Sequence, residues 1–206
     1  MRSVRRRFAT GPRRIVLPGD PLIDGETALR AWRDSDLDPL VTACQDPEIS
    51  RWTRVPYPYG PADARAYLLQ RHDMLHAGTT APFAIVSAAD RDHLLGSISL
   101  MRFAWNHARA EVGYWLAEDA RGHGHVTRAV RLITAWGFRS LALERIDLMA
   151  ATGNPASQRV AERCGFTREA VLRSYLQSTE GRQDMVAFGL LANDREAGRV
   201  EKRKHA

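Results

Sequence analysis

A chain of 206 residues, 44% hydrophobic and 26% charged, has the size and balance of one globular domain that buries a core without disulfides or a structural metal. No stretch reaches the roughly 18 apolar residues of a membrane-spanning helix, and the two cysteines, Cys44 and Cys164, belong to no CxxC pair. The formal charge of +6 suggests a nucleic-acid partner until it is located: residues 1–14 carry +6, residues 195–206 carry +3, and the body between them carries −3.

Residues 1–24 hold Gly11, Pro12, Pro18, Gly19 and Pro21 among arginines, without periodicity, and read as a basic arm, flexible or loosely docked. No apolar run follows the arginines, so the expected location is the cytoplasm. Thr27, Leu29 and Ala31 alternate with Arg30 and Trp32 as a first strand. Asp34 and Ser35 offer a helix cap, with Asp36 and Asp38 in the first turn, where the helix dipole favours acids. A second helix opens at Gly60-Pro61 and stops at Gly78.

Strands follow at 82–87, 94–103 and 109–117, the first two joined by the polar turn 89–92. A glycine turn at 121–124 leads into a helix with Val126, Ala129, Val130, Ile133 and Gly137 on one face. Ile146, Leu148 and Ala150 alternate as a strand, Asn154-Pro155 begins a short helix ending at Cys164-Gly165, and 166–177 with 185–191 form a last strand pair. Residues 193–206 read as a polar, basic tail. This order predicts an α/β (α+β) domain over 25–192: a mixed sheet of about seven strands with helices on both faces and a parallel crossover between 109 and 151.

The segment with most chemical content is Trp115 to Thr127. Glycines at 122 and 124 permit positive φ and let backbone N–H groups approach an anion. The helix start behind them adds unsatisfied N–H groups and partial positive charge, and Arg121 offers a permanently charged fork. Together these make a phosphate cradle, although the turn is neither a Walker A loop nor GxGxxG.

Arg121-Gly122-His123-Gly124-His125-Val126, followed after the next strand by Asn154 and Gly165-Phe166, resembles the GNAT superfamily of acyl-CoA N-acyltransferases. Glu111-Val112-Gly113-Tyr114-Trp115-Leu116, Asn154-Pro155-Ala156-Ser157 and Gly165-Phe166 look closest to its Rim-type branch, which includes acetyltransferases of ribosomal-protein N-termini. The resemblance implies a GNAT fold with a splayed strand pair and acetyl-CoA as acyl donor. The turn Arg121, Gly122, His123, Gly124, His125, Val126 and Thr127 would hold the coenzyme pyrophosphate. Val126 stands where the family has Gly or Ala, so its side chain must point away from the phosphates. Trp115 and Leu116 would pair the pantetheine arm, and Asn154 would contact it.

Many relatives carry an acid tyrosine seven residues after the asparagine, where this chain has Ala161. Ser157, in the place of a Rim-type serine, is the expected proton donor to the thiolate. Glu111 is the first candidate base and Asp184 the second. Trp52, Tyr57 and Tyr59 either wall the acceptor mouth or pack the loop between the first two helices. No metal is expected: His123-x-His125 and the pair His72 and His76 lack a convincing further ligand. The expected reaction is direct transfer to a primary amine, first a protein N-terminus. Three alternatives stay open: a small cationic amine, a longer acyl donor, or an acyl-CoA-sensing module whose arm docks RNA or the ribosome. A weak anionic partner for the arm, no membrane, and a monomer or homodimer complete the expectation.

Overall fold

The computed structural model describes residues 13–178 and 181–194. β1 (Leu22–Asp24) and β2 (Thr27–Arg30) form a hairpin whose tight turn places Gly25 at φ 55°, a conformation that suits glycine. α1 (Leu37–Ala43), α2 (Pro47–Trp52) and α3 (Pro61–His76) follow. Asp46 caps α2 by accepting from Glu48 N at 2.9 Å, and Asp63 closes the start of α3 by accepting from Gly60 N at 2.8 Å. Next come β3 (Thr80–Ser87), β4 (Leu94–Ala104), β5 (Arg109–Leu116), α4 (His125–Ser140), β6 (Arg145–Ala151), α5 (Pro155–Arg163), β7 (Thr167–Ser178) and β8 (Gly181–Leu191).

The strands make one mixed sheet in the order β1-β2-β3-β4-β5-β6-β8-β7, with β5 and β6 the parallel pair. Its central strands are buried on both faces, and alternation sorts their side chains into two layers. Phe83 and Ile85 pack with Val130 and Ile133 of α4, whereas Ala84 and Val86 pack with Leu40 of α1 and Leu68 of α3. Helices therefore cover both faces, as the element order predicts.

Three expectations need correction. The sheet has eight strands because β1 comes from the segment read as an arm. Residues 13–24 belong to the fold: Ile15 is 2% exposed and its N–H donates to Leu75 O at 2.8 Å. Residues 1–12 and 195–206, where the rest of the arm and nearly all of the basic tail fall, lie outside the described residues. α2 is a helix of its own, one that six residues of weak periodicity did not announce.

Asp36, read as a dipole-favoured acid, is instead buried and bidentate to Arg30, with both contacts at 2.7 Å.

Close backbone approach sets β4 against β5 at Gly96, where an added Cβ would overlap the Trp115 carbonyl oxygen. Gly96→Ala should therefore cost about 1–3 kcal/mol, as overpacking does. A denaturation midpoint that stays at the wild-type value would contradict this contact.

Candidate active site

β5 and β6 pair only from Arg109↔Arg145 to Val112↔Leu148. Beyond that point Gly113–Leu116 remain paired to β4, and Met149–Ala151 to β8. The two strands part, and the β6-facing edge of β5 loses its sheet partner. A cavity of about 550 Å³ opens here, running from Tyr114, Ala151, Asn154 and Ser157 at the split toward α1–α3 and the β7–β8 hairpin.

The glycine turn lies just past the end of β5. Gly122 and Gly124 sit at φ 83° and 79°, the left-handed region that makes glycine the suitable residue. Among the described residues, the amides from Gly122 to Thr127 make no hydrogen bond, so consecutive donors stand at the N-terminus of α4. The side chain of Val126 packs against the core, which leaves its amide open to a ligand. His125 turns inward and its Nδ1 lies 2.9 Å from Thr27 Oγ1. Burial, then the nearby Arg128 and His123, hold its pKa below the ordinary histidine value.

The Arg121 fork is partly engaged within the protein, although its side chain stays 39% exposed. It pairs with Asp46 at the head of α2, and its Nη2 also donates to Leu116 O at 3.0 Å. The cation beneath the turn is Arg128, whose Nη1 donates to His123 O at 2.8 Å. The Arg121–Asp46 pair ties the turn to the helices on the other side of the sheet.

Asn154 caps α5 by accepting from Ser157 N at 3.0 Å. Capping thus falls to Asn154, and the Ser157 hydroxyl is left for another partner. That partner is Tyr114, whose Oη lies 2.9 Å from Ser157 Oγ across the split. Burial pushes the Tyr114 phenol up to about 12, so it stays protonated. The family motif contains Tyr114 but implies no role for it. Strand alternation carried a usable signal, because it puts Tyr114 on the face of Val112 and Leu116, toward α4 and α5.

Glu111 lines the cavity, and both carboxylate oxygens accept from Arg102 Nη1 at 3.0 and 2.8 Å. Asp184 is not brought to the site. Its Oδ1 accepts from Ser174 N at 2.7 Å, steadying an irregular stretch of β7 where Ser174 has φ 51°, and it does not line the cavity. Trp52, Tyr59 and Trp115 line the cavity, while Tyr57 is 56% exposed and outside it. Tyr67, Ser97 and Ser99 add hydroxyls deep in the wall, and burial pushes the Tyr67 phenol up. Among the described residues no three His, Cys, Asp or Glu side chains gather as a metal site.

The geometry has counterparts. Residues 27–167 match the model of the acetyltransferase (GNAT) domain. Over 101 residues the chain is 37% identical to the putative ribosomal N-acetyltransferase YdaF of Bacillus subtilis, a match covering 49% of this chain and 55% of that relative. The fold matches RimL, a ribosomal L7/L12 α-N-protein acetyltransferase in complex with coenzyme A, at TM-score 0.76 and 18% identity, covering 84% of this chain and 98% of that one. It also matches spermidine N-acetyltransferase from Vibrio cholerae in complex with CoA and spermine, at TM-score 0.72 and 22% identity, covering 83% and 98%. A split strand pair beside a turn of free amides, within a family match that spans most of the chain, places this protein in the GNAT acetyltransferase family.

Proposed function

We propose that this protein is an acetyl-CoA-dependent N-acetyltransferase of the Rim-type branch, acting on the α-amino group of a peptide or protein. The observation that carries the reading is the strand split, with free turn amides at one end and the Tyr114–Ser157 hydroxyl pair inside it. The amides of 122–127 would hold the pyrophosphate, and the unpaired edge of β5 around Trp115 and Leu116 would hold pantetheine. An amide on that edge would polarise the thioester carbonyl.

Transfer then needs a neutral amine and a proton for the leaving thiolate. Glu111, ion-paired with Arg102, takes the proton of the attacking amine directly or through water. As the C–N bond forms and the C–S bond breaks, Ser157 Oγ gives its proton to the thiolate while Tyr114 Oη passes one to Ser157, and the phenol regains its proton from water as the products leave. Cys44 also lines the cavity, but burial pushes its thiol up to about 12, which leaves it a poor nucleophile and favours direct transfer. Asp184 has no part in this reading, because its carboxylate is occupied elsewhere.

Acceptor choice follows from local charge. A small polycation calls for several free carboxylates, yet two acids line the cavity wall and one of them, Glu111, is already paired with Arg102. That supports a peptide amine over a polyamine such as those named for the Vibrio relative. Peptide and polyamine panels assayed for CoA release should show turnover with peptides, and turnover with polyamines alone would reverse the choice.

Coenzyme binding has its own check. Gly124→Glu with Asn154→Ala places a negative charge at the amide turn and removes the α5 cap, and should weaken acetyl-CoA binding at least about tenfold. Wild-type affinity by calorimetry would sink the assignment of the turn.

A further inference from the structure

We infer that the amine acceptor carries a carboxylate, supplied by an acidic residue close to the reacting N-terminus, and that Arg54 binds it at the cavity rim. The inference rests on the peptide-acetyltransferase reading and narrows its substrate class.

Four charged side chains line the cavity: Asp63, Glu111, Arg54 and Arg102. The two acids are spoken for, and the two cations are not equally so. Arg102 meets Glu111 through Nη1 alone, which leaves its Nε and Nη2 donors for another acceptor. Arg54, which also lines the cavity, has no ion pair or hydrogen bond among the described residues. The four charges on the wall balance, with Glu111 paired to Arg102 and Asp63 bonded to a neutral amide, so Arg54 is the cation there that meets no carboxylate among the described residues, beside a deep floor of Tyr67, Ser97 and Ser99 that is neutral.

Arg54 is also held in place. Thr53 Oγ1 donates to Ile49 O at 2.5 Å and accepts from Val55 N at 3.1 Å, so the backbone on both sides of Arg54 is tied to the end of α2. A guanidinium on a fixed base binds a carboxylate through paired N–H donors, at less entropic cost than a loose chain would incur. The same positive rim repels a lysine-rich peptide or a polyamine, which gives selectivity through mismatch as well as attraction.

The test uses the full chain and short peptides matched in length: a free N-terminus with Asp or Glu at the second and third positions, the Asn or Gln counterparts, and Lys counterparts. Free glutamate serves as a further arm, to separate a side-chain carboxylate from an α-carboxylate. The wild-type protein should prefer acidic over amide peptides roughly tenfold in kcat/KM, chiefly through KM, with the preference shrinking as salt rises. Arg54→Gln should bring that ratio close to one, and Arg54→Glu should turn it toward the Lys peptides.

A wild-type ratio near one, or an acidic preference that survives Arg54→Gln, overturns the subsite while turnover itself upholds the acetyltransferase reading. Better turnover of free glutamate than of any peptide overturns the peptide form of the acceptor. Absence of turnover with every amine overturns the acetyltransferase reading and the subsite with it.

Discussion

Ser157→Ala should lower kcat by about 100-fold, the range in which a positioned general acid contributes, with little change in acetyl-CoA affinity. Tyr114→Phe should do nearly the same. The two hydroxyls are 2.9 Å apart and form one relay, so the double variant should be no slower than the worse single variant by more than a small factor. Independent roles would instead multiply. The phenylalanine variant keeps the apolar packing of the ring on the α5 side, so a loss there reads the hydroxyl rather than the fold.

Acid strength adds a second signature. Tyr114 is pushed up to about 12 by burial, and a group with a raised pKa keeps its proton until pH passes that raised value. The relay should therefore impose no alkaline fall in kcat near pH 10, where an ordinary tyrosine begins to ionise. Stopped-time CoA release between pH 7 and 10.5 checks this. Full activity of Ser157→Ala would remove the relay from the mechanism, and a loss centred near pH 10 that Tyr114→Phe abolishes would show that burial does not raise the phenol.

Much of this site was readable before the fold, because the chemistry lies in contiguous pieces. Strand alternation from 109 to 117, glycines at 122 and 124 and an apolar helical stripe behind them already place a glycine turn at a helix start. What escaped reading was long-range or short. Arg121 has its carboxylate partner 75 positions away at Asp46, and no local pattern announces such a pair. β1 spans three residues and α2 six, too few for a period to show. Asp184 looked available because it sits near the start of a strand, but the amide of Ser174 in the irregular neighbouring strand claims it. Ser157 and Tyr114 were both quoted from the sequence, yet only the packing of α5 on the sheet brings their hydroxyls together.

Asp36→Ala should cost about 3–5 kcal/mol, as removing one partner of a buried ion pair does. The side chains of Arg30 and Asp36 are 4% and 3% exposed, so solvent screens the pair very little. Asp36 accepts from Arg30 Nη1 and Nη2 and from Arg33 N, each at 2.7 Å. Arg30 in turn donates from Nε to Arg91 O at 2.9 Å and from Nη1 to Ala31 O at 3.0 Å. Taking away the carboxylate strands a buried guanidinium and an amide together, which costs far more than the pair contributes net. Arg30→Met leaves the opposite orphan and should cost a similar amount.

Arg30→Met with Asp36→Leu removes both charges and should recover a large part of either loss, because no ion is then left unpaired. Urea midpoints of the wild type, Asp36→Leu, Arg30→Met and their combination complete the cycle, and a loss below about 1 kcal/mol in Asp36→Ala would show that water reaches the pair. The consequence extends to the glycine turn. The pair locks the end of β2 to the start of the helical layer, and the same strand carries Thr27, the partner of His125 at the head of α4. Loosening β2 should therefore weaken acetyl-CoA binding in proportion to the stability lost, and the apolar double variant should restore both together.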